Sequence, residues 1–222
     1  MTKQNKLKIG VFDSGIGGLS VVNAIKKAFP EAEVIFRNDS EHVPYGTKTL
    51  EQIYTFTKPV LEKLVYEDKC DVLVIACNTV STNFANQLRQ EFNLPIIAME
   101  PMVKPAARDT KSKVIAVCAT PRTLQSQRYN WLKVEFAQGV TVLEPDCSDW
   151  SYMIENDQIN SDKIAKIVND VCNQGADEIV LGCTHYHWIE ALVVELAAGR
   201  AAVLQPEEPV VQQIRRVIER TL

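Results

Sequence analysis

Short runs of apolar, largely β-branched residues alternate along the chain with longer stretches in which apolar side chains recur at helical spacing. The apolar runs predict strands at 8–12, 34–36, 72–76, 95–98, 114–117, 140–143, 178–181 and 202–204. Helical stretches lie between and after them, at 18–28, 50–67, 81–92, 122–136, 161–174, 189–196 and 207–221. Such alternation predicts an α/β fold on mostly parallel sheets. Pro101 and Pro105 predict a loop near the middle of the chain.

The pattern repeats itself. The run from Asp71 through Cys77 to Thr79 matches the run from Asp177 through Cys183 to His185, with Cys183 standing 106 positions after Cys77. The same shift carries Ile9–Ser14 onto Ile115–Thr120, again apolar residues followed by a small hydroxyl side chain. That period is too long for a solenoid and suits a duplicated α/β unit. At about 150 residues per domain, 222 residues leave one large or two small domains open. The repeat favours two, and no low-complexity linker separates them.

Composition removes several classes of function. With 46% hydrophobic and 23% charged residues the chain reads as globular, which excludes disorder, collagen and coiled coil. A net charge of −4, from 24 basic and 28 acidic side chains, does not suit a nucleic-acid partner. The six cysteines, Cys70, Cys77, Cys118, Cys147, Cys172 and Cys183, form neither a dense disulfide framework nor CxxC pairs, so reduced thiols are expected. Residues 1–8 are polar and run into the first strand without the apolar core of a signal peptide. No apolar run approaches the roughly 18 residues of a membrane span, and the best candidate, 191–204, is broken by Glu195 and Arg200. A cytoplasmic protein with no membrane partner is expected.

In parallel α/β units ligands bind beyond the carboxyl ends of the strands, where loops lead into helix N-termini. Cys77 and Cys183 both occupy that position, each followed by polar residues and a helical stretch. A thiol beside helix N–H groups is expected to shift toward thiolate, and two matched thiols invite a two-sided mechanism. The first strand runs into Asp13-Ser14-Gly15-Ile16-Gly17-Gly18-Leu19-Ser20, where Ser20 occupies the third glycine of a dinucleotide fingerprint. No nucleotide cofactor is therefore expected. These glycines would let the backbone approach a small ligand, and Asp13 could accept a proton or orient an ammonium group. His185 and His187 lack a third ligand at recognisable spacing, so no metal is expected, and His185 is better placed as a proton partner for Cys183.

Six ordered motifs carry a resemblance: Asp13–Leu19, Pro44-Tyr45-Gly46, Ala76-Cys77-Asn78-Thr79, Glu100-Pro101, Ala119–Thr123 with Ser126 and Tyr129, and Gly182-Cys183-Thr184-His185-Tyr186. Together they resemble the glutamate racemases of the cofactor-independent Asp/Glu racemase family. The resemblance implies two pseudo-symmetric three-layer α/β domains, residues 1–98 with 207–222 and residues 99–206, with the active site in the cleft between them. It implies Cys77 and Cys183 as proton donor and acceptor on opposite faces of the substrate Cα, with Asp13 assisting Cys77 and His185 assisting Cys183. It also implies substrate contacts from Asp13, Ser14, Tyr45, Gly46, Asn78, Thr79, Thr120, Thr123, Thr184 and His185, with Glu155 nearby. The implied activity is interconversion of L- and D-glutamate without a cofactor or metal, supplying D-glutamate for peptidoglycan, in a homodimer.

The chain departs from the family pattern in several places. Residues 37–43 match only at Asp39, Cys147 is flanked by Asp146 and Ser148, His187 stands where proline is usual, and Leu204-Gln205-Pro206 replaces isoleucine-aspartate. The chain also runs only to Leu222, short of the family's usual extent, which bears on closure and oligomer geometry. Two alternatives follow. An aspartate or broad-specificity racemase is disfavoured by His185, because such relatives usually carry glutamate there. A weakly catalytic member that binds an amino acid or a partner is disfavoured by the presence of both thiols.

Overall fold

A computed structural model describes residues 6–221. Residues 1–5, part of the polar N-terminal stretch, lie outside the described residues. Among the described residues, eight strands form two four-stranded parallel sheets. The first holds β1 (Lys8–Asp13), β2 (Glu33–Asn38), β3 (Val72–Ile75) and β4 (Ile96–Ala98) in the order β2-β1-β3-β4. The second holds β5 (Val114–Cys118), β6 (Thr141–Leu143), β7 (Glu178–Leu181) and β8 (Ala202–Leu204) in the matching order β6-β5-β7-β8. Lys8 and Val114, Val72 and Glu178, and Ile96 and Ala202 open equivalent strands at the 106-residue shift read from the sequence. The duplication is therefore one of topology as well as of motif.

Each sheet is covered on both faces, which explains why its inner strands are continuously apolar. Alternate residues of β1 and β3 point to opposite layers. Ile9, Val11, Val72 and Val74 meet Val21, Val22 and Ile25 of α1 (Leu19–Ala28), while Phe12, Leu73 and Ile75 meet the layer of α2 (Leu50–Glu62) and α3 (Asn78–Glu91). The second sheet lies between α4 (Val103–Asp109) with α6 (Gln127–Phe136) on one face and α8 (Ser161–Asn173) with α9 (Glu190–Ala197) on the other. Two short helices, α5 (Pro121–Leu124) and α7 (Trp150–Glu155), border the junction between the halves. The last helix, α10 (Glu207–Thr221), returns to the first sheet, burying Val210, Val211 and Ile214 beside Ile9 and Val11. Full burial of each such aliphatic side chain stabilises by about 1.5–3 kcal/mol.

All eight expected strands are present, and the helices differ from expectation in three places. Residues 103–109 form α4 rather than a loop, because Pro105 sits in its first turn, where a missing N–H costs no helical bond. The helix expected at 122–136 is two helices, since Ser126 caps α6 by accepting from Tyr129 N. Residues 150–155 form α7, for which no helix was expected. Among the described residues, no helix is long and apolar enough to cross a membrane.

Candidate active site

The carboxyl ends of the inner strands of both sheets converge on one cavity. Asp13 closes β1, and Cys77 follows β3 at the N-cap of α3. Thr120 caps α5 just after β5, and Cys183 follows β7 at the head of a tight helical turn, Thr184–Ile189. The cavity is narrow and is lined by Ser14, Tyr45, Gly46, Cys77, Asn78 and Thr79 from the first half and by Thr120, Cys183, Thr184 and His185 from the second. Ten of the residues expected at the site are thus on its wall. Asp13 lies buried behind Thr184, and Thr123 behind Thr120, its Oγ1 3.0 Å from Thr120 Oγ1.

Hydrogen bonds organise the cavity wall, and those from Thr184 to Asp13 and between Thr79 and Thr120 join the two halves. Thr184 Oγ1 donates to both carboxylate oxygens of Asp13, at 3.1 and 3.2 Å, and Gly18 N donates to Asp13 Oδ2 at 2.7 Å. Thr79 Oγ1 and Thr120 Oγ1 are 3.0 Å apart. Tyr45, at the cavity wall, donates its hydroxyl to Asp39 Oδ2 at 2.7 Å. The glycine loop serves this closure. A Cβ on Gly17 would lie 2.5 Å from His185 N, and one on Gly15 would lie 2.8 Å from His185 Nε2. The close approach expected toward a ligand is therefore an approach of one half of the protein to the other.

The two thiols have unequal surroundings. Cys77 Sγ is 3.4 Å from Ser14 Oγ. Burial, reinforced by the nearby Asp13 carboxylate, pushes this thiol up to about 12, against smaller opposing effects from Ser14 and Val80 N. The expected shift of Cys77 toward thiolate is thus reversed, because desolvation disfavours the anion more than a helix N-terminus favours it. Burial also raises Asp13 above the usual carboxylate range, in spite of His185, Gly18, Ser14 and Thr184. Cys183 Sγ lies 3.9 Å from His185 Nδ1 and 3.5 Å from Ser151 Oγ. His185 Nε2 in turn meets Glu155 Oε2 at 2.5 Å. Burial opposes a charge on His185, yet its bonds to Cys183 and Glu155 prevail and raise its pKa to about 10. An imidazolium therefore stands beside one thiol and a buried carboxyl beside the other.

The side-chain nitrogen and oxygen of Asn78, at the cavity wall, are both buried with no hydrogen-bond partner among the described residues. Sequence reasoning missed two lining residues, Pro44 and Ser151. Pro44 belongs to a motif that had been singled out, whereas Ser151 sits on the unexpected helix α7. All six cysteines are free, and Cys70, Cys118, Cys147 and Cys172 do not line the cavity. His187 turns from it, its Nδ1 3.2 Å from Ser20 Oγ and 2.8 Å from Glu207 Oε1.

Fold and cavity together define an α/β protein whose two repeats share one cavity at the carboxyl ends of their strands. The chain belongs to the Asp/Glu/Hydantoin racemase family, whose model matches residues 9–206, and it is an amino-acid racemase, an isomerase. It is 33% identical over 214 residues to a glutamate racemase of Herpetosiphon aurantiacus, covering 95% of this chain and 84% of the relative. It is 36% identical to a glutamate racemase of Pseudomonas aeruginosa, over 95% of this chain and 81% of that one. The fold matches Escherichia coli glutamate racemase, solved with L-glutamate and the activator UDP-MurNAc-ala, with a TM-score of 0.89 at 24% identity. That match covers 97% of this chain and 83% of the other. A Thermus thermophilus glutamate racemase matches with a TM-score of 0.75 at 26% identity, over 96% and 81% of the two chains.

Proposed function

We propose that the protein interconverts L- and D-glutamate by direct proton transfer at Cα, with Cys77 and Cys183 acting from opposite sides. The observation that carries this reading is the pair of thiols, one per repeat, walling a single cavity, each with its own acid–base neighbour. One sulfur, as thiolate, takes the α-proton, and the opposite thiol delivers its proton to the other face. Each transfer leaves the two sulfurs with exchanged protonation, so the reverse reaction begins from the product state. His185, kept protonated by Glu155, is placed to stabilise a thiolate at Cys183. Asp13 stands on the Cys77 side, where it can relay the proton of a thiol that burial keeps neutral.

The carbanion formed between the transfers needs a dry, polar enclosure. Asn78, with both amide atoms unpartnered among the described residues, can donate to the substrate's carboxylate and accept from its ammonium group, and the N-terminus of α3 at Asn78–Thr79 favours the carboxylate. Ser14, Tyr45, Gly46, Thr120, Thr184 and His185 complete the contacts, with Thr123 supporting Thr120. The reading uses no cofactor, because these side chains supply donor, acceptor and charge stabilisation themselves. In a bacterial cell the product D-glutamate would enter peptidoglycan, and the protein would act in the cytoplasm as a homodimer. Residues 1–98 with 207–222 form one catalytic unit and residues 99–206 the other in this reading, which the packing of α10 on the first sheet supports. Incubation with each enantiomer of glutamate and of aspartate in D₂O, followed by optical rotation and Cα deuteration, tests it. Glutamate should racemise with deuterium uptake, and turnover of aspartate alone or of neither amino acid would overturn the assignment.

A further inference from the structure

Ser151 is the second residue of α7, 3% exposed, and lines the cavity beside Cys183. A buried serine in a helix commonly turns its hydroxyl back onto the carbonyl four residues earlier. Here that carbonyl belongs to Cys147, and it is already taken by the Tyr186 hydroxyl at 2.6 Å and by Trp150 N at 3.1 Å. A carbonyl oxygen offers two lone pairs, and both are in use. The Ser151 hydroxyl lies 3.5 Å from Cys183 Sγ and also faces the phenol oxygen of Tyr186, whose own proton is committed to the Cys147 carbonyl. The arrangement parallels Ser14 and Cys77 at 3.4 Å, yet it is not a product of the duplication. Ser14 corresponds at the 106-residue shift to Thr120, and Ser151 corresponds to Tyr45. The second thiol thus receives its hydroxyl from a different element than the first.

We propose that Ser151 donates a hydrogen bond to Cys183 Sγ whenever that sulfur is a thiolate, and so controls proton transfer on one face of the substrate. The proposal rests on the two-thiol reading and extends it to a residue on α7. When Cys183 is a thiol the same hydroxyl accepts. When the sulfur gives up its proton the hydroxyl rotates to donate, keeping its own proton throughout. The other titratable groups around Cys183 are His185 on its own turn, Glu155 on α7, Tyr186, Asp13 from β1 and Cys77 across the cavity. Ser151→Ala also takes a hydroxyl away from Tyr186, whereas Ser151→Thr keeps one there.

The test uses Ser151→Ala and Ser151→Thr in the full chain, with two independent readouts. The first is the primary isotope effect on kcat/KM with α-deuterated L- and D-glutamate. The enantiomers are equal in energy, so kcat/KM must change equally in both directions, and the isotope effect reports which transfer has slowed. Loss of a hydrogen bond to a charged group predicts a rate loss of about tenfold to a hundredfold in Ser151→Ala. The isotope effect should rise only in the direction in which Cys183 abstracts, with Ser151→Thr restoring both rate and isotope effect. The second readout is alkylation of Cys183 by iodoacetamide as a function of pH, followed by peptide mass spectrometry, which needs no turnover. Its midpoint should move to higher pH in Ser151→Ala while that of Cys77 stays. Isotope effects that rise equally in both directions, or an unmoved Cys183 midpoint, would overturn the proposal. A wild-type chain that turns over no glutamate would instead overturn the function reading and leave the alkylation result to decide on Ser151.

Discussion

Glu155 Oε2 lies 2.5 Å from His185 Nε2, and the opposite ring nitrogen lies 3.9 Å from Cys183 Sγ. One imidazole thus links a carboxylate on α7 to the thiol that follows β7. Orientation of a histidine by a second carboxylate fixes the ring and favours its protonated form. His185 keeps its proton up to about pH 10 because the bonds to Cys183 and Glu155 outweigh burial. Glu155→Gln removes one of those supports while keeping the shape. The alkaline limb of kcat against pH should move to lower pH, with a rate loss of about tenfold or more. A profile recorded from pH 6 to pH 10 checks this, and an unmoved alkaline limb would show that Glu155 does not govern His185.

Gly17 marks where the two halves touch most closely. A Cβ there would meet the backbone at His185 N, 2.5 Å away, and Thr184 C, 2.7 Å away, and neither can rotate aside. Gly17→Ala should therefore destabilise the chain by about 1–3 kcal/mol, as other overpacking changes do. It should also lower activity, because the displaced turn carries Thr184 and His185. Gly139, with φ +72° and open space around it, provides the contrast. Gly139→Ala should cost about 1–2 kcal/mol of backbone strain and leave kcat unchanged. Denaturant unfolding and steady-state rates on both variants separate closure from stability.

Asp177 clamps the segment before β5 by accepting from Lys111 N at 2.7 Å, Ser112 N at 2.8 Å and the Thr110 hydroxyl at 2.5 Å. Although partial burial works the other way, these bonds hold Asp177 down at about 2. A carboxylate whose folded pKa is depressed stabilises the protein above its unfolded pKa. Its contribution is present above about pH 4 and is lost as pH falls toward 2. Asp177→Asn should lower Tm at neutral pH and flatten the fall of Tm between about pH 4 and pH 2, while kcat stays at the wild-type level. Tm measured across that window is the check.

The strands were legible because buried parallel strands must be apolar at every position, a signal that short windows such as Val72–Ile75 and Glu178–Leu181 carry largely unmixed. Cys77, Cys183 and Asp13 were legible for a related reason, since they stand at or just after the ends of those strands, whereas Tyr45 and the other hydroxyl residues of the cavity came from the family resemblance. Helix α7 was not legible. Six residues are too few to display a helical period, and its inward face, Trp150, Ser151, Met153 and Ile154, is recognised only against Tyr186 and its neighbours. Ser151 was lost with it. The protonation of Cys77 was misread because sequence shows the helix N-terminus but not the complete desolvation that outweighs it. The purpose of Gly15 and Gly17 was hidden likewise, since the groups they accommodate are about 170 residues away in sequence.

In the proposed reaction both thiols act, one on each face of Cα. The most direct measurement compares wild type, Cys77→Ala and Cys183→Ala in D₂O with L- and D-glutamate, following loss of optical rotation and deuterium at Cα. The wild type should racemise both enantiomers with deuterium uptake, and each single variant, folded as judged by circular dichroism, should fail to racemise either. Racemisation at the wild-type rate by either variant would contradict the two-thiol account.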